Sequence, residues 1–298
     1  MFGGVHMKVV SIINYKGGVG KTTLSANLVA GISKKKRVLA IDLDPQANLT
    51  FSFITISTWR QKFEKENTIK HWFDAIIANE QPLPPLKNLI VKNRGIHIIS
   101  SHLGLIDVDI ELAVGLSGAT PKQQKLNYIK TFSYLRKGLE TLKDNYDLVI
   151  IDCPPNFSVV TKNALIASDY YAIPTKMDYL STLGINQLRN HVNTLVREYN
   201  GYCETDNHVN PVLLGVIANM ISIYGGNPIR AQQDYIEEIQ RNRIPLFNSM
   251  VRENKTLFSS RPEFAEPVIL QDHSVGTYAD IVSELEALQA EFEKKVGV

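Results

Sequence analysis

The sequence predicts an α/β fold in which a mostly parallel β-sheet is covered by helices on both faces. Short runs of continuously apolar residues alternate along the chain with longer amphipathic segments. Continuous apolarity is typical of strands that are buried on both faces of a parallel sheet, whereas half-exposed strands alternate apolar and polar residues. The predicted strands lie at residues 9–13, 38–41, 96–99, 148–151, 170–173 and 213–217.

Apolar residues recur at helical spacing between and after these strands. Helices that connect parallel strands must cross over the sheet and bury one apolar stripe against it. Three such stripes stand out: Leu24, Leu28 and Ile32; Leu183, Leu188, Val192 and Leu195; and Tyr278, Ile281, Leu285, Leu288 and Phe292. The alternation of strands and helices predicts one α/β domain spanning residues 1–298.

Composition excludes several classes of protein. The chain has 298 residues and a formal net charge of +2, which excludes a polybasic or polyacidic tail as its main feature. Two cysteines, Cys153 and Cys203, are too few for a disulfide framework, so we expect a cytoplasmic protein. Residues 55–95 contain apolar helical patterns followed by prolines and are expected to form a helical elaboration of the domain.

A glycine-rich segment directly after the first predicted strand carries the chemistry. Lys16-Gly17-Gly18-Val19-Gly20-Lys21-Thr22-Thr23 stands between that strand and a predicted helix. Glycines let the backbone approach a polyphosphate, and the amides of the turn and the helix start then point at the anion. In such a loop Lys21 contacts the β- and γ-phosphates and the Thr22 hydroxyl binds Mg²⁺, so the sequence predicts a P-loop NTPase.

The loop departs from the standard pattern in an informative way, because Tyr15 replaces the first glycine and Lys16 adds a second lysine. This segment resembles the deviant Walker A loop of the ParA/MinD superfamily of ATPases. Two further segments are similar to ParA-type sequences: Asp42-Leu43-Asp44-Pro45-Gln46-Ala47-Asn48, which resembles switch I, and Leu148-Val149-Ile150-Ile151-Asp152-Cys153-Pro154-Pro155, which resembles the Walker B strand and switch II. A later segment, residues 262–269, resembles another motif of the family.

The resemblance implies a set of roles around bound ATP and Mg²⁺. Lys16, Lys21 and Asp44 would be catalytic, with Asp44 holding the attacking water and Lys16 reaching the phosphates bound by a partner subunit. An aspartate at the end of an apolar strand suits a metal site, so Asp152 would hold Mg²⁺ with Thr22, and Asp42 is a further candidate through a water molecule. The nucleotide-binding residues would be Gly17, Gly18, Val19, Gly20, Lys21, Thr22, Thr23 and Asn219.

The resemblance also implies a cellular function. ParA-type ATPases form an ATP-dependent homodimer, bind double-stranded DNA without sequence preference, and are switched off by slow hydrolysis that a ParB-like or other adaptor stimulates. The expected location is therefore the cytoplasm, on the nucleoid, with no membrane partner. The cargo could be a plasmid, a chromosome or a protein assembly, and the expected DNA-contacting residues are Arg197, Arg230 and Arg243.

Two alternatives stay open at this point. A MinD-like regulator of cell division would need an amphipathic C-terminal helix with a basic polar face, whereas the polar residues of this last helix are mostly acidic. A nucleotide-binding scaffold without turnover is the other alternative, and the presence of Lys16, Asp44 and Asp152 argues against it.

Overall fold

The computed structural model describes residues 6–258, 266–271 and 276–298. The strands of the described residues are Lys8–Ile12 (β1), Val38–Asp42 (β2), Ile90–Asn93 (β3), Ile96–Ile99 (β4), Leu148–Asp152 (β5), Tyr170–Lys176 (β6), Val212–Ile221 (β7), Ile223–Tyr224 (β8), Asn227–Pro228 (β9) and Val251–Arg252 (β10). All six predicted strands are present. β7 extends well past its predicted end, and β3 together with the short β8, β9 and β10 was not predicted.

Helices separate these strands as the sequence pattern requires. They are Lys21–Ile32 (α1), Asn48–Phe51 (α2), Ile56–Lys62 (α3), Ile69–Ile77 (α4), Leu105–Val114 (α5), Pro121–Phe132 (α6), Tyr134–Glu140 (α7), Val159–Ala167 (α8), Tyr179–Tyr202 (α9), Arg230–Arg241 (α10), Lys255–Phe258 (α11) and Thr277–Val296 (α12). The three predicted apolar stripes fall on α1, α9 and α12. Leu183 was wrongly included in the second stripe, because its side chain is 60% exposed and Ile185 takes the inward position.

The main sheet of the described residues has eight strands in the order β10-β7-β6-β1-β5-β2-β4-β3. Its pairs are parallel except β3–β4, which is antiparallel. The prediction of a mostly parallel sheet is therefore confirmed. Because β1, β5 and β2 are neighbours in parallel register, their carboxyl ends bring Ile12, Asp152 and Asp42 side by side.

Successive residues of the central strands supply two hydrophobic cores, one on each face of the sheet. Along β5, Val149 and Ile151 belong to one core and Leu148 and Ile150 to the other. Helices α4, α5, α7, α8 and α9 cover the first core, whereas α1 and α12 cover the second. This two-sided burial explains why the strands are apolar at every position.

The segment 55–95 contains more than the helices that its sequence pattern suggests. It holds α3 and α4, a short 3₁₀ turn at Leu86–Leu89, and β3 at the edge of the sheet. Trp72 and Phe73 of α4 are buried in the first core. These two side chains anchor the segment to the main body, while the edge strand is a difference that the four residues of β3, of mixed polarity, did not reveal.

The C-terminal helix packs its apolar stripe inward. Ile281, Leu285, Leu288 and Phe292 of α12 are buried in the second core. Arg252 of β10 ties the polar side of the helix to the sheet through Glu284 at 2.7 Å and Asp280 at 3.0 Å. Among the described residues, no helix is both long enough and apolar enough to cross a membrane. Of the motif at 262–269, residues 262–265 lie outside the described part of the chain.

Candidate functional site

The glycine-rich loop lies between β1 and α1 at the carboxyl edge of the sheet. Gly18 and Gly20 adopt positive φ angles of 70° and 83°, which glycine accepts without strain. At Gly20 a side chain is also excluded by space, because a Cβ atom there would lie 2.2 Å from the amide nitrogen of Asn219. Gly20 is the N-cap of α1 and offers no capping side chain, so the first amides of the helix are available to an anion.

Lys21 places an ammonium group inside this loop. The residue is only 6 % exposed, and its Nζ donates one long hydrogen bond of 3.3 Å to the carbonyl of Lys16. Burial lowers its pKa, while the nearby carboxylates of Asp152 and Asp44 act in the opposite direction. A buried cation with one weak hydrogen bond is suited to binding a strongly anionic ligand.

Asp152 ends β5 beneath the same loop and is fully buried. Its two carboxylate oxygens accept hydrogen bonds from the hydroxyl of Thr22 at 2.7 Å and from that of Ser25 at 2.8 Å. Burial raises the pKa of Asp152 to about 6, against the effect of these hydrogen bonds. Thr22 and Asp152, separated by a long stretch of sequence, therefore form the pair of hard oxygen donors that a Mg²⁺ site requires.

Asp42 and Asp44 follow β2, next to Asp152. Asp42 is buried and accepts hydrogen bonds from the Thr50 amide (2.8 Å) and hydroxyl (2.7 Å) and from the Asp44 amide (3.1 Å). Burial raises the pKa of Asp42 well above its usual value, and the neighbouring Asp152 carboxylate adds to this effect. Asp42 thus shapes the turn that carries Asp44, whose own Oδ1 accepts the Gln46 amide at 2.9 Å.

Asn219 approaches the loop from the carboxyl-terminal part of β7. It is buried, and its side-chain amide donates a 2.8 Å hydrogen bond to the carbonyl of Val19. The structure therefore places this residue against the backbone of the loop, where it fixes the turn around Gly20.

Lys16 points along the outer side of the loop. Its Nζ lies 2.9 and 3.1 Å from the carboxylate oxygens of Asp178 and 2.9 Å from the hydroxyl of Ser181. Both partners belong to the start of α9, where Asp178 caps the helix by accepting the Ser181 amide at 2.8 Å. Within a single chain, Lys16 is thus held away from the phosphate cradle formed by its own loop.

Comparison with known proteins agrees with this arrangement. A family model described as an AAA domain matches residues 7–204. The sporulation initiation inhibitor protein Soj of Bacillus subtilis is 31% identical over 287 residues, which cover 94% of this chain and 98% of Soj. This chain belongs to the ParA-type partition ATPases of the ParA/MinD superfamily. Its deviant Walker A loop therefore stands in the fold where the sequence predicts it.

Solved structures share the fold of this ParA-type chain. The ATP complex of McdA from Cyanothece has a TM-score of 0.71 at 19% identity, covering 99% of this chain and 98% of that one. A plasmid partition protein from Borrelia burgdorferi bound to AMPPNP has a TM-score of 0.67 at 22% identity, covering 97% and 98%. At this level of identity the likeness shows the α/β P-loop NTPase fold alone.

Three polar residues of this ParA-type site were not found by sequence reasoning. Ser25 lies three residues after Thr22, on the same side of α1, and this spacing is the signal that could have identified it. Thr50 and Ser101 form hydrogen bonds to the residues of switch I. The Ser101 hydroxyl donates to the Asp44 carbonyl at 2.7 Å, and the Ser101 amide donates to the Thr50 hydroxyl at 3.0 Å. Nothing in the local sequence around Ser101 indicates this long-range contact.

Tyr15, the residue that departs from the standard loop, connects the deviant Walker A loop to switch II. Its ring meets that of Phe157 edge to face at 6.0 Å, and its hydroxyl is hydrogen-bonded to the Nδ1 of His191 on α9. Burial raises the pKa of Tyr15 to about 12. The tyrosine therefore acts as a neutral packing and hydrogen-bonding residue at this point.

The three arginines predicted to contact DNA lie on α9 and at the two ends of α10. Arg197 is exposed on α9, and Arg243 is exposed just after α10, where it has a positive φ of 54°. Arg230 begins α10 and forms an ion pair of 3.1 Å with Asp234 one turn later. Their role in DNA binding stays a prediction.

Proposed function

We propose that this protein is a partition switch that dimerises around Mg·ATP, binds double-stranded DNA as the dimer, and is released by hydrolysis. The observation that carries the proposal is the convergence of Lys21, Thr22, Asp44 and Asp152 at one edge of the sheet, with Lys16 on the outer side of the same loop. The first four residues suit hydrolysis within one subunit. Lys16 would act on the phosphates bound by another subunit.

Phosphate binding would depend on the loop backbone and Lys21. The amides of Gly17, Gly18, Val19 and Gly20 would contact the phosphates together with those of Thr22 and Thr23, which lie in the first turn of α1 after its uncapped N-cap Gly20. The helix dipole and these donors favour a polyphosphate, and the buried Lys21 ammonium adds a full positive charge. Asn219 supports this cradle by holding the Val19 carbonyl, and it lies on the side of the loop where we place the adenosine.

The oxygen atoms of Thr22 and Asp152 are of the kind that bind Mg²⁺. When Mg²⁺ is bound together with ATP, it would neutralise the negative charge on the β- and γ-phosphates. Thr22 and Asp152 would hold it directly or through water. Asp42 would contribute only through a water molecule, because its oxygens already accept hydrogen bonds from Thr50 and Asp44.

Asp44 would orient the attacking water. The Ser101 hydroxyl holds the backbone carbonyl of Asp44, and the Gln46 amide of switch I holds its carboxylate. Positioning and charge stabilisation account for most of the catalysis of phosphoryl transfer, so a misplaced Asp44 or an unengaged Lys16 leaves turnover slow. An adaptor that orders these elements would stimulate the reaction.

Dimerisation around ATP is supported by apolar side chains on both sides of the loop. Tyr179, Leu180 and Leu183 at the start of α9 are 60 to 68% exposed, and Leu103 and Ile106 near the start of α5 are also exposed. Exposed aromatic and aliphatic clusters at one edge mark a surface that a partner covers. A second copy there would bring Lys16 towards the phosphates of its partner.

We further propose that the ATP-bound dimer binds DNA through phosphate contacts and works on the nucleoid in the cytoplasm. The exposed cations Arg197, Arg230 and Arg243 remain candidates for these contacts. Pairing two subunits doubles the number of phosphate contacts, so affinity should rise sharply with dimerisation. A ParB-like or other adaptor would then trigger release of a plasmid, chromosome or other cargo complex.

A MinD-like membrane cycle is the other candidate, and α12 argues against it. The apolar residues of this helix are buried in the second core, so they are not free to enter a bilayer. The discriminating experiment sets the Asp44→Ala protein with ATP against plasmid DNA and against anionic liposomes. We expect binding to DNA. Sedimentation with liposomes and not with DNA would overturn the proposal in favour of the membrane cycle.

A further inference from the structure

An unusually basic stretch lies outside the site described above. Residues 112–139 contain no aspartate or glutamate, and they carry the cations Lys122, Lys125, Lys130, Arg136 and Lys137. The surrounding sequence mixes both signs, as expected for a chain of net charge +2. Such a local excess of one sign attracts a polyanion.

Helix α6 presents the lysines of this stretch outward. Its inner side is anchored by Phe132, which is buried, and by Tyr128, whose ring packs on Phe132 at 4.5 Å and on Tyr202 of α9 at 5.1 Å. Lys122 and Lys130 stand two four-residue steps apart and share the opposite side of the helix. Lys125 lies at the flank, over the Tyr202 ring at 5.4 Å.

Within the described part of the chain, the lysines of α6 have no acidic partner. All three are exposed, and across the described residues none of them takes part in an ion pair within 4.0 Å. The Glu198 carboxylate on the neighbouring α9 accepts a hydrogen bond from the Tyr128 hydroxyl at 3.0 Å. Helix α10, which begins with Arg230, differs because it also carries Asp234, Glu237 and Glu238.

Helix stability does not explain the position of Lys122. Lys122 lies in the first turn of α6, where a positive charge opposes the helix dipole, and the same turn has no acidic residue among those described. A lysine that merely stabilised the helix would be expected near its C-terminal end, as Lys130 is. The position of Lys122 therefore favours a role in binding an external anion.

We propose that the outward face of α6, with Lys122, Lys125 and Lys130, is the surface that contacts the phosphates of double-stranded DNA. This inference rests on the proposed DNA-binding function and assigns its main contacts to α6 rather than to Arg197, Arg230 and Arg243. An anionic bilayer is a poorer fit, because the apolar side of α6 is buried against α8 and α9 and Leu126 is the exposed aliphatic residue between the lysines.

The test compares two triple charge reversals in the Asp44→Ala background with ATP. One carries Lys122→Glu, Lys125→Glu and Lys130→Glu. The matched control carries Lys34→Glu, Lys35→Glu and Lys36→Glu, which change net charge equally on the exposed turn after α1. Binding to a fluorescein-labelled linear duplex of random sequence is followed by anisotropy over a range of salt concentrations, and light scattering reports dimerisation.

We expect the α6 variant to dimerise normally and to bind DNA at least about ten-fold more weakly. The slope of log affinity against log salt concentration should become shallower by about 0.9 for each phosphate that the variant no longer neutralises. The control should retain parental affinity, and a Lys→Gln version of the α6 variant should be intermediate.

The inference is overturned if the α6 variant binds DNA like its parent, if the control is weakened as much, or if only binding to anionic vesicles depends on the lysines. Failure of the parent itself to bind DNA would remove the proposed function together with this surface.

Discussion

The ammonium group of Lys16 lies 2.9 Å from a carboxylate oxygen of Asp178 in the same chain. Asp178 is also the N-cap of α9, so the lysine is held at the start of the helix that carries the exposed apolar residues Tyr179 and Leu180. If Lys16 acts on the phosphates of a partner subunit, it must first leave Asp178. Asp178 of the same chain and the phosphates bound by the partner subunit would therefore compete for the Lys16 ammonium group.

The first prediction concerns Asp178→Asn. Asparagine retains the helix cap and removes the charge that holds Lys16. Burial raises the pKa of Asp178, but the hydrogen bonds from Lys16 and Ser181 outweigh it and leave the pKa below its usual value. A half-exposed ion pair contributes at most about 1 kcal/mol and each dimer breaks two of them, so we expect ATP-dependent dimerisation at up to about 30-fold lower protein concentration. Light scattering across a dilution series measures this, with Asp234→Asn as the control for a surface ion pair. An unchanged or higher dimerisation threshold would contradict the prediction.

The second prediction separates binding from turnover. Asp44→Ala should bind ATP and Mg²⁺ with nearly parental affinity and lose hydrolysis, because Asp44 is proposed to act on the water and not on the phosphates. Lys21→Ala should lose ATP binding, since it removes the buried ammonium of the cradle. Calorimetry and phosphate release on both variants provide the readout. Hydrolysis by Asp44→Ala at the parental rate would show that its assigned role is wrong.

The third prediction compares two adjacent buried serines. The Ser101 hydroxyl donates to the Asp44 carbonyl at 2.7 Å, whereas the Ser100 hydroxyl donates to the Asn67 carbonyl at 3.2 Å. Loss of one buried hydrogen bond costs about 1 kcal/mol of stability in either case. Only Ser101→Ala removes a hydrogen bond to switch I, the one to the Asp44 carbonyl. We therefore expect this substitution to lower kcat several-fold with little change in ATP affinity.

Thermal unfolding tests whether the two serine substitutions cost similar stability. Ser100→Ala should retain the parental kcat although its stability falls by a similar amount. An equal decrease of kcat in both variants would show that Ser101 acts on general stability alone and does not position Asp44.

The fourth prediction concerns the charge of Asp152. Its pKa is raised to about 6 by burial, so between about pH 4 and pH 6 the folded chain binds more protons than the unfolded one. Stability without ligand should therefore fall as the pH rises through this window. At neutral pH the ionised carboxylate destabilises the folded state by on the order of 2 to 3 kcal/mol.

Asp152→Asn should accordingly raise the Tm of the ligand-free protein at pH 7.5 and leave it unchanged near pH 4, while Mg·ATP binding is lost. Asp147→Asn provides a control of opposite sign, because the hydrogen bond from Arg37 lowers the pKa of Asp147 and its charge stabilises the folded state at neutral pH. Scanning calorimetry of the three proteins at both pH values measures the effect. A lower Tm for Asp152→Asn at pH 7.5 would refute the assignment.

Local sequence was sufficient to predict the strands, the glycine-rich loop and the residues that follow it. Continuous apolar runs predict β1, β2 and β5 because the residues of these strands face two cores. The glycine-rich loop is predictable because its backbone has positive φ angles at Gly18 and Gly20, which favour glycine. The order of the strands could be inferred only in part. Short or polar elements such as β3 and the lysine-bearing α6 have too little apolar periodicity to reveal their place.

The contacts that complete the site depend on the tertiary structure, because each joins residues that are distant in the chain. The sheet order puts β5 beside β1, which brings Thr22 and Ser25 to Asp152. It also puts β4 beside β2, which brings Ser101 to Asp44. The sequence by itself determined which residues bear the charges, hydroxyls and glycines of a ParA-type ATPase. The tertiary structure decided that Lys16 rests on Asp178 in the single chain, since a flexible lysine takes the nearest carboxylate that the packing of α9 offers.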